Sequence, residues 1–283
     1  MATIIDGKLV SKTTRDKLAQ EARELCECGI HPCLAVILVG DDPASCVYVR
    51  NKHKACLEIG IEPIQINMPY QTTESELISK ISELNKDDTV HGILVQLPLP
   101  KHISEDNIIA AIAPKKDVDA FTHESVARIV GGNYSFLPCT PAGIMELLAF
   151  YDVDISGKEC VVIGRSNIVG KPMMMLMLHA NATVTVCHSR TKDLADVTKR
   201  ADILIVAIGK AKFVTADMVK PGAVVVDVGI NRTDDGKLVG DVDFDAVSSV
   251  ASMITPVPGG VGPMTITMLL NNTVIAAKKQ IKE

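Results

Sequence analysis

Apolar and polar positions along the chain fall into blocks whose spacing switches between helical and strand-like. Leu9 to Cys28 repeats apolar residues at helical intervals, and Gly29 stops the pattern, which predicts an amphipathic helix. Cys33 to Val39 is a continuous apolar run ending at Gly40, the mark of a strand buried on both faces. Pro43 to Leu57 reads as a helix, with Pro near its start and Gly60 just past its end. A strand is expected near Pro63 to Met68. A helix then starts at Thr73, where Glu76 completes a capping box. His91 to Leu97 is the next strand and Ser104 to Ile112 the next helix. Buried strands alternating with helices predict a mostly parallel sheet with helices on both faces.

The alternation pauses over Ala113 to Thr140, which is rich in Pro, Gly and charge, and resumes with a helix over Pro141 to Tyr151. Strands follow at Glu159 to Ile163, Thr183 to Cys187, Ile203 to Ala207 and Ala223 to Asp227, with helical segments between the first three. A boundary near residue 140 therefore separates two α/β domains, 1–140 and 141–263. Met264 to Lys279 follows the turn-rich stretch Pro256 to Pro263. Its early part is apolar around much of the helix, so it must pack against something. There are no internal repeats.

Composition narrows the function classes. The 283 residues are 47% hydrophobic and 22% charged, a globular balance with no Trp and few other aromatics, so the core is aliphatic. A net charge of −5 lacks the bulk positive field of a non-specific nucleic-acid binder, so no nucleic-acid partner is expected. No apolar run is long enough to cross a bilayer, and the N-terminus lacks the pattern of a secretory signal. A cytoplasmic protein without a membrane partner is expected. The eight cysteines show no CxxC pair and no matching His spacing, so neither a metal site nor a disulfide framework is expected.

The strand ending at Ile163 runs into Gly164-Arg-Ser-Asn-Ile-Val-Gly170 and then a Met-rich helix. A strand, a glycine turn and a helix N-terminus in that order offer free N–H groups and a positive helix end to a pyrophosphate. The spacing is not GxGxxG, and a ligand-free turn fits the pattern as well. The next strand ends in Cys187-His188-Ser189-Arg190, where an NAD-specific site would carry an acid for the ribose 2′-hydroxyl. A hydroxyl and a guanidinium there, with Arg165 nearby, favour the 2′-phosphate of NADP over a merely solvated basic loop. Glycine turns just past two later strands, at Gly209 and at Gly229-Ile230, complete a candidate crevice.

In the first domain Ser45, Tyr48 and Lys52 stand at i, i+3 and i+7 on one helix face. A phenol and an ammonium delivered together suit acid–base work, although a solvated surface face is the commoner use of that spacing. Short-chain dehydrogenases use a similar Tyr-x-x-x-Lys pair, but their glycine loop comes first in the chain, and here the order is reversed. Gln96 closes a buried strand within Val95-Gln96-Leu97-Pro98. Asp117 and Asp119 form either a solvated charge cluster or a grip for an amino-pyrimidine edge.

Taken together, these motifs resemble the bifunctional methylenetetrahydrofolate dehydrogenase/methenyltetrahydrofolate cyclohydrolase family along nearly the whole chain. The resemblance rests on Ser45-x-x-Tyr48-x-x-x-Lys52, Val90 to Leu99, Pro114-x-Lys-Asp-Val-Asp119 and Pro138-Cys-Thr-Pro141. It continues through Gly164 to Pro172 and Pro256 to Thr265. It implies a folate-binding catalytic domain with the 264–283 helix returning to it, a Rossmann-like NADP-binding domain, a folate cleft between the two, and a homodimer. Tetrahydrofolate one-carbon derivatives are the implied substrates.

Residue by residue, the resemblance implies that Lys52 manages protons, with Gln96, Tyr48 and Asp119 as its catalytic partners. Ser45, Val95, Leu97, Pro98, Pro258, Gly259 and Gly260 would contact the folate. Thr140, Gly164, Arg165, Ser166, Ile168, His188, Ser189, Arg190, Gly209, Gly229, Ile230 and Thr265 would contact the cofactor. Monofunctional relatives depart at the lysine face, whereas this chain keeps Tyr48, Lys52 and Gln96. A monofunctional dehydrogenase and a non-catalytic dinucleotide-binding regulator are the alternatives.

Overall fold

In the computed structural model, which describes residues 1–233 and 235–280, the chain opens with strand β1 (Thr3–Ile4) and helix α1 (Gly7–Glu27). It continues through β2 (Cys33–Val39), α2 (Pro43–Ile59), β3 (Glu62–Met68), α3 (Glu74–Lys86), β4 (Gly92–Val95) and α4 (Glu105–Ala111). Helices α5 (His123–Gly131) and α6 (Cys139–Phe150) follow, then β5 (Glu159–Ile163), α7 (Gly170–His179), β6 (Thr183–Cys187), α8 (Leu194–Thr198), β7 (Ile203–Val206) and β8 (Val224–Asp227). The short pair β9 (Asn231–Arg232) and β10 (Leu238–Val239) precedes α9 (Phe244–Val247), β11 (Met253–Ile254) and α10 (Val261–Gln280). Residues 281–283, part of the expected last helical segment, lie outside the described residues.

The chain divides into two units, one of Thr13–Cys139 with Ile266–Glu283, the other of Met1–Lys12 with Thr140–Thr265. The first holds a parallel three-stranded sheet in the order β3-β2-β4. All seven residues of β2 are buried, because it is the central strand. Cys33, Ala35, Ile37 and Val39 pack with Leu77, Ile81 and Leu84 of α3 and Ile108 of α4. Each fully buried Val, Leu or Ile among them contributes about 1.5–3 kcal/mol. Strand β3 is an edge and only half-buried, which its Glu62, Gln65 and Asn67 anticipate.

The second unit holds a six-stranded sheet in the order β1-β11-β8-β7-β5-β6, with every pairing parallel. The chain passes from β5 outward to β6 and then back to β7 on the other side of β5. The carboxyl ends of β5 and β7 therefore flank a topological switch point, where open α/β sheets bind their ligands.

Three sequence expectations change. Domain 1–140 was expected to include the N-terminus, yet β1 pairs with β11, so residues 1–12 lie with the second unit. The backbone shows why: a Cβ on Gly7 would stand 1.7 Å from the Gly260 carbonyl oxygen, so the start of α1 lies directly on the glycine turn. The 113–140 pause contains α5, a two-turn helix too short to show a period. Helix α10 starts at Val261, not Met264, because Gly262 and Pro263 fit its first turn.

The charge cluster after α4 is not a solvated face. Lys116 is fully buried, and its ammonium donates to the carbonyls of Leu84 and Asp87 at 2.7 and 2.6 Å, capping the end of α3. Asp117 accepts from Thr122 N (2.9 Å), Phe121 N (3.2 Å) and the Ser125 hydroxyl (2.7 Å), which ties down the start of α5. Replacing Asp117 with Ala strands these donors in the interior and should cost about 3 kcal/mol in a urea titration. A loss under about 0.5 kcal/mol would show that water replaces the carboxylate freely.

Candidate functional site

In the first unit, helix α2 starts because Asp42 caps it, accepting from Ser45 N at 2.8 Å, and Pro43 fits its first turn. That bond holds the Asp42 carboxyl below its ordinary pKa and commits Ser45, which is buried, to the cap. Two helical turns on, the Lys52 ammonium donates to Gln96 Oε1 at 3.0 Å. Gln96 is itself fixed at the end of β4: its backbone N–H donates to Ile37 O at 2.9 Å and its side-chain amide to Leu97 O at 2.6 Å.

Asp119 joins this pair. Burial pushes its carboxyl up from the usual carboxylate range, and the nearby Lys52 charge pulls part of the way back. The Cys139 thiol donates to Asp119 Oδ1 at 3.3 Å, and that thiol is driven well up in turn by burial and by the Asp119 charge. Tyr48 lies on the same helix face, 43% exposed. Val95 turns its side chain into the core, so only its backbone faces away from it. Leu97 is half-buried and Pro98 exposed.

One contributor escaped sequence reasoning. The Asn272 amide donates to Val118 O and Leu137 O, both at 2.8 Å, which locks the backbone beside Asp119 and Cys139. The available signal was a polar pair, Asn271-Asn272, inside an otherwise apolar helix.

In the second unit the glycine turn lies at the β5/β7 switch point. A Cβ on Gly164 (φ 128°) would stand 2.3 Å from Ala207 O, and one on Gly170 2.3 Å from Gly164 O, so both positions need glycine. The Ser166 hydroxyl accepts from Val169 N and Gly170 N at 3.1 and 3.3 Å and caps α7. Among the described residues, no acceptor meets the backbone N–H groups of Arg165, Ser166, Asn167 and Ile168. Such a run of free donors before a helix fits a pyrophosphate.

Beside it opens a cavity of about 290 Å³ lined by Gly164, Arg165, His188, Ser189, Ile208, Lys210 and Phe213, among others. Arg190 is exposed and does not line it; its N–H donates to His188 Nδ1 at 3.1 Å. Lys210, 5.6 Å from the Phe213 ring centre, is a cation the sequence reading missed, although it directly follows Gly209.

A second cavity, of about 190 Å³, is lined by Lys8, Asp227, Gly229, Ile230 and the turn from Pro256 to Pro263, including Pro258, Gly259 and Gly260. Thr140 and Thr265 pair through their hydroxyls at 3.0 Å. Among the described residues, no cluster of His, Cys, Asp or Glu is able to hold a metal ion, and no helix is long and apolar enough to cross a membrane.

Comparison with known proteins divides the chain in sequence, between residues 119 and 138. Residues 5–119 match the family model described as tetrahydrofolate dehydrogenase/cyclohydrolase, catalytic domain, and residues 138–281 match its NAD(P)-binding domain. A bifunctional protein FolD from Agathobacter rectalis is 63% identical over 279 residues, covering 99% of this chain and 100% of that protein. The crystal structure of the bifunctional methylenetetrahydrofolate dehydrogenase/cyclohydrolase of Campylobacter jejuni superposes with a TM-score of 0.98 at 54% identity, covering 99% of each chain. The Trypanosoma brucei enzyme, solved with NADP cofactor and an inhibitor, gives 0.95 at 38% identity over 100% of this chain and 99% of its own.

Asp227 lends itself to a pH test. Its carboxylate accepts from Gly229, Asp241 and Val242 N–H groups, each at 2.9 Å, yet burial and the Asp241 charge push its pKa from 3.8 up to about 6. The native state then binds this proton more tightly than the unfolded chain, so the contribution is greatest below pH 4 and is lost as pH rises to 6. The shift corresponds to roughly 3 kcal/mol. In urea titrations at successive pH values, Asp227→Asn should gain on the parent by about that amount between pH 4 and 6. A constant difference would mean that the carboxyl titrates normally.

Proposed function

The chain belongs to the tetrahydrofolate dehydrogenase/cyclohydrolase family, and on that premise we propose that it oxidises 5,10-methylenetetrahydrofolate with NADP and then hydrolyses the 5,10-methenyl product to 10-formyltetrahydrofolate. The observation that carries both steps in one protein is the Lys52–Gln96 hydrogen bond beside Asp119. A dehydrogenase alone has no need of an amine held at the substrate.

The dinucleotide, when bound, accepts the hydride. For that step the chain has only to hold the donor and acceptor carbons close and aligned. The N–H groups of Arg165 to Ile168 would receive the pyrophosphate, and glycine at 164 and 170 would let it approach the backbone. Arg165, Ser189 and Lys210 line one cavity and would hold the 2′-phosphate there. Arg190 does not line that cavity, which favours Arg165 as the arginine in contact.

Hydrolysis is the step for which Lys52 is built. Water attacks the methenyl carbon and loses one proton. The C–N bond to N5 then breaks as the resulting hydroxyl gives up its proton to become the formyl C=O and N5 takes a proton, so one proton is released overall. Lys52 manages the proton at Nζ, and Gln96, rigid at its strand end, holds Nζ where the attack occurs. Asp119 takes the amino-pyrimidine edge of the pterin. The donors of that edge supply the hydrogen bonds that burial withholds from its carboxylate. Tyr48 orients the folate from the exposed face of α2.

The reading extends to a cytoplasmic homodimer. All eight cysteines are free thiols, in keeping with a reducing compartment. Strand β6 is an edge of its sheet, which suits pairing between copies.

Two substitutions test the assignment. Lys52→Met should abolish cyclohydrolase turnover on methenyl substrate while the circular-dichroism spectrum stays unchanged; hydrolysis at the parental rate by a folded variant removes Lys52 from the chemistry. Replacing Arg165 and Ser189 with Ala should lower the NADP/NAD ratio of kcat/KM about tenfold or more, since each charge-assisted bond to phosphate is among the stronger kind. A parent enzyme that uses both dinucleotides equally would remove the anion pocket from the argument.

A further inference from the structure

The turns that follow β7 and β8 are joined by one buried carboxylate. Asp241 is fully buried, and its Oδ2 accepts from Ile208 N at 2.7 Å and Gly209 N at 2.9 Å. Its Oδ1 accepts from Lys210 N at 2.8 Å and from the Asn231 side-chain amide at 2.9 Å. Three successive N–H groups converging on one point form a nest, a geometry that ordinarily binds an anion from outside. Here the chain fills the nest itself.

Asp241 is held just as firmly from behind. Its own N–H donates to Asp227 Oδ1 at 2.9 Å, and its carbonyl accepts from Val214 N at 3.0 Å. The two acids cross over two glycines. A Cβ on Gly229 would stand 2.3 Å from Asp241 Cγ, and one on Gly240 1.8 Å from Asp227 Oδ2. Neither turn has room to shift without displacing a carboxylate.

These turns wall two cavities of this unit. Ile208 and Lys210 line the one that holds Arg165 and Ser189, and Gly229 and Ile230 line the one formed by the Pro256–Pro263 turn. We propose that Asp241 is the positioning residue for the dinucleotide. By occupying the 208–210 nest and holding Asn231, it sets both turns in register and leaves the Gly164 turn as the place for the pyrophosphate. An unfilled nest at 208–210 would compete for the same phosphates, 44 residues further along the chain from Gly164. The proposal rests on the dinucleotide reading of this unit.

The test uses the full-length chain. Asp241→Asn keeps the shape, but either orientation of its amide turns an NH2 group toward N–H donors. The KM for NADP should rise tenfold or more, while kcat/KM for methenyl hydrolysis, assayed without dinucleotide, stays within twofold. Asn231→Ala keeps the carboxylate and its three backbone donors, so it should fold and raise the NADP KM about threefold. It carries the test alone if Asp241→Asn does not fold. An unchanged NADP KM in the folded variants overturns the proposal, as does a parallel loss of both activities, which would reduce Asp241 to a structural role. Calorimetric titration of the parent with NADP separates the two readings: a parent that binds no dinucleotide overturns the underlying reading, and the proposal with it.

Discussion

Parallel sheets free backbone N–H groups wherever a strand ends and the chain must turn, and every such donor that is buried needs an acceptor. This protein supplies those acceptors from its own carboxylates. Asp117 serves the turn into α5, Asp227 the stretch from Gly229 to Val242, and Asp241 the turn after β7. Lys116 does the reverse for the carbonyls that end α3. Against that background the turn after Gly164 stands apart. Ser166 caps the helix behind it, yet among the described residues no acceptor meets the donors ahead of it. The satisfied turns are scaffold, and on the proposed reading the unsatisfied one is where a phosphate would gain most.

The same economy governs the catalytic unit. Lys52 and Asp119 sit close enough for the Lys52 charge to pull the Asp119 carboxyl partly back toward ionising, and neither is left to solvent alone. The amine is aimed by a glutamine fixed to the sheet, and the acid is lodged beside a thiol, next to backbone that Asn272 holds. Burial keeps the Asp119 carboxyl reluctant to ionise, so a ligand offering donors to it gains a hydrogen bond and a charge together. On the proposed reading, binding and chemistry therefore use neighbouring groups held by separate elements: α2, the end of β4 and the segment after α4.

Elements with an unambiguous period were legible before any coordinates. Strand β2 and strands β5 and β6 fall where the apolar runs place them, and α3 begins at its capping box. The family resemblance named Gln96 as a partner of Lys52, and the structure joins the two, one on a helix face and one at a strand end. The glycine turn at the first strand of the second unit was legible as well. Short elements were lost: α5 spans only two turns, and the two-residue strands β1 and β11 carry no period at all.

What only the tertiary structure decided is which polar residues face inward. Sequence spacing put Asp117 and Asp119 in one charge cluster, but the fold spends Asp117 on a helix start and keeps Asp119 beside Lys52. It set Arg190 beside Ser189 in the chain, yet Ser189 lines a cavity and Arg190 does not, while Lys210 arrives there from another strand. Asp241 and Asp227 read as ordinary acids until their glycine partners, 12 and 13 residues away along the chain, are brought against them. Periodicity is a property of neighbours in sequence, so it fixes helices, strands and their buried faces. A hydrogen-bond partner at the end of another strand is chosen by strand order, and that order exists only once the sheet has formed.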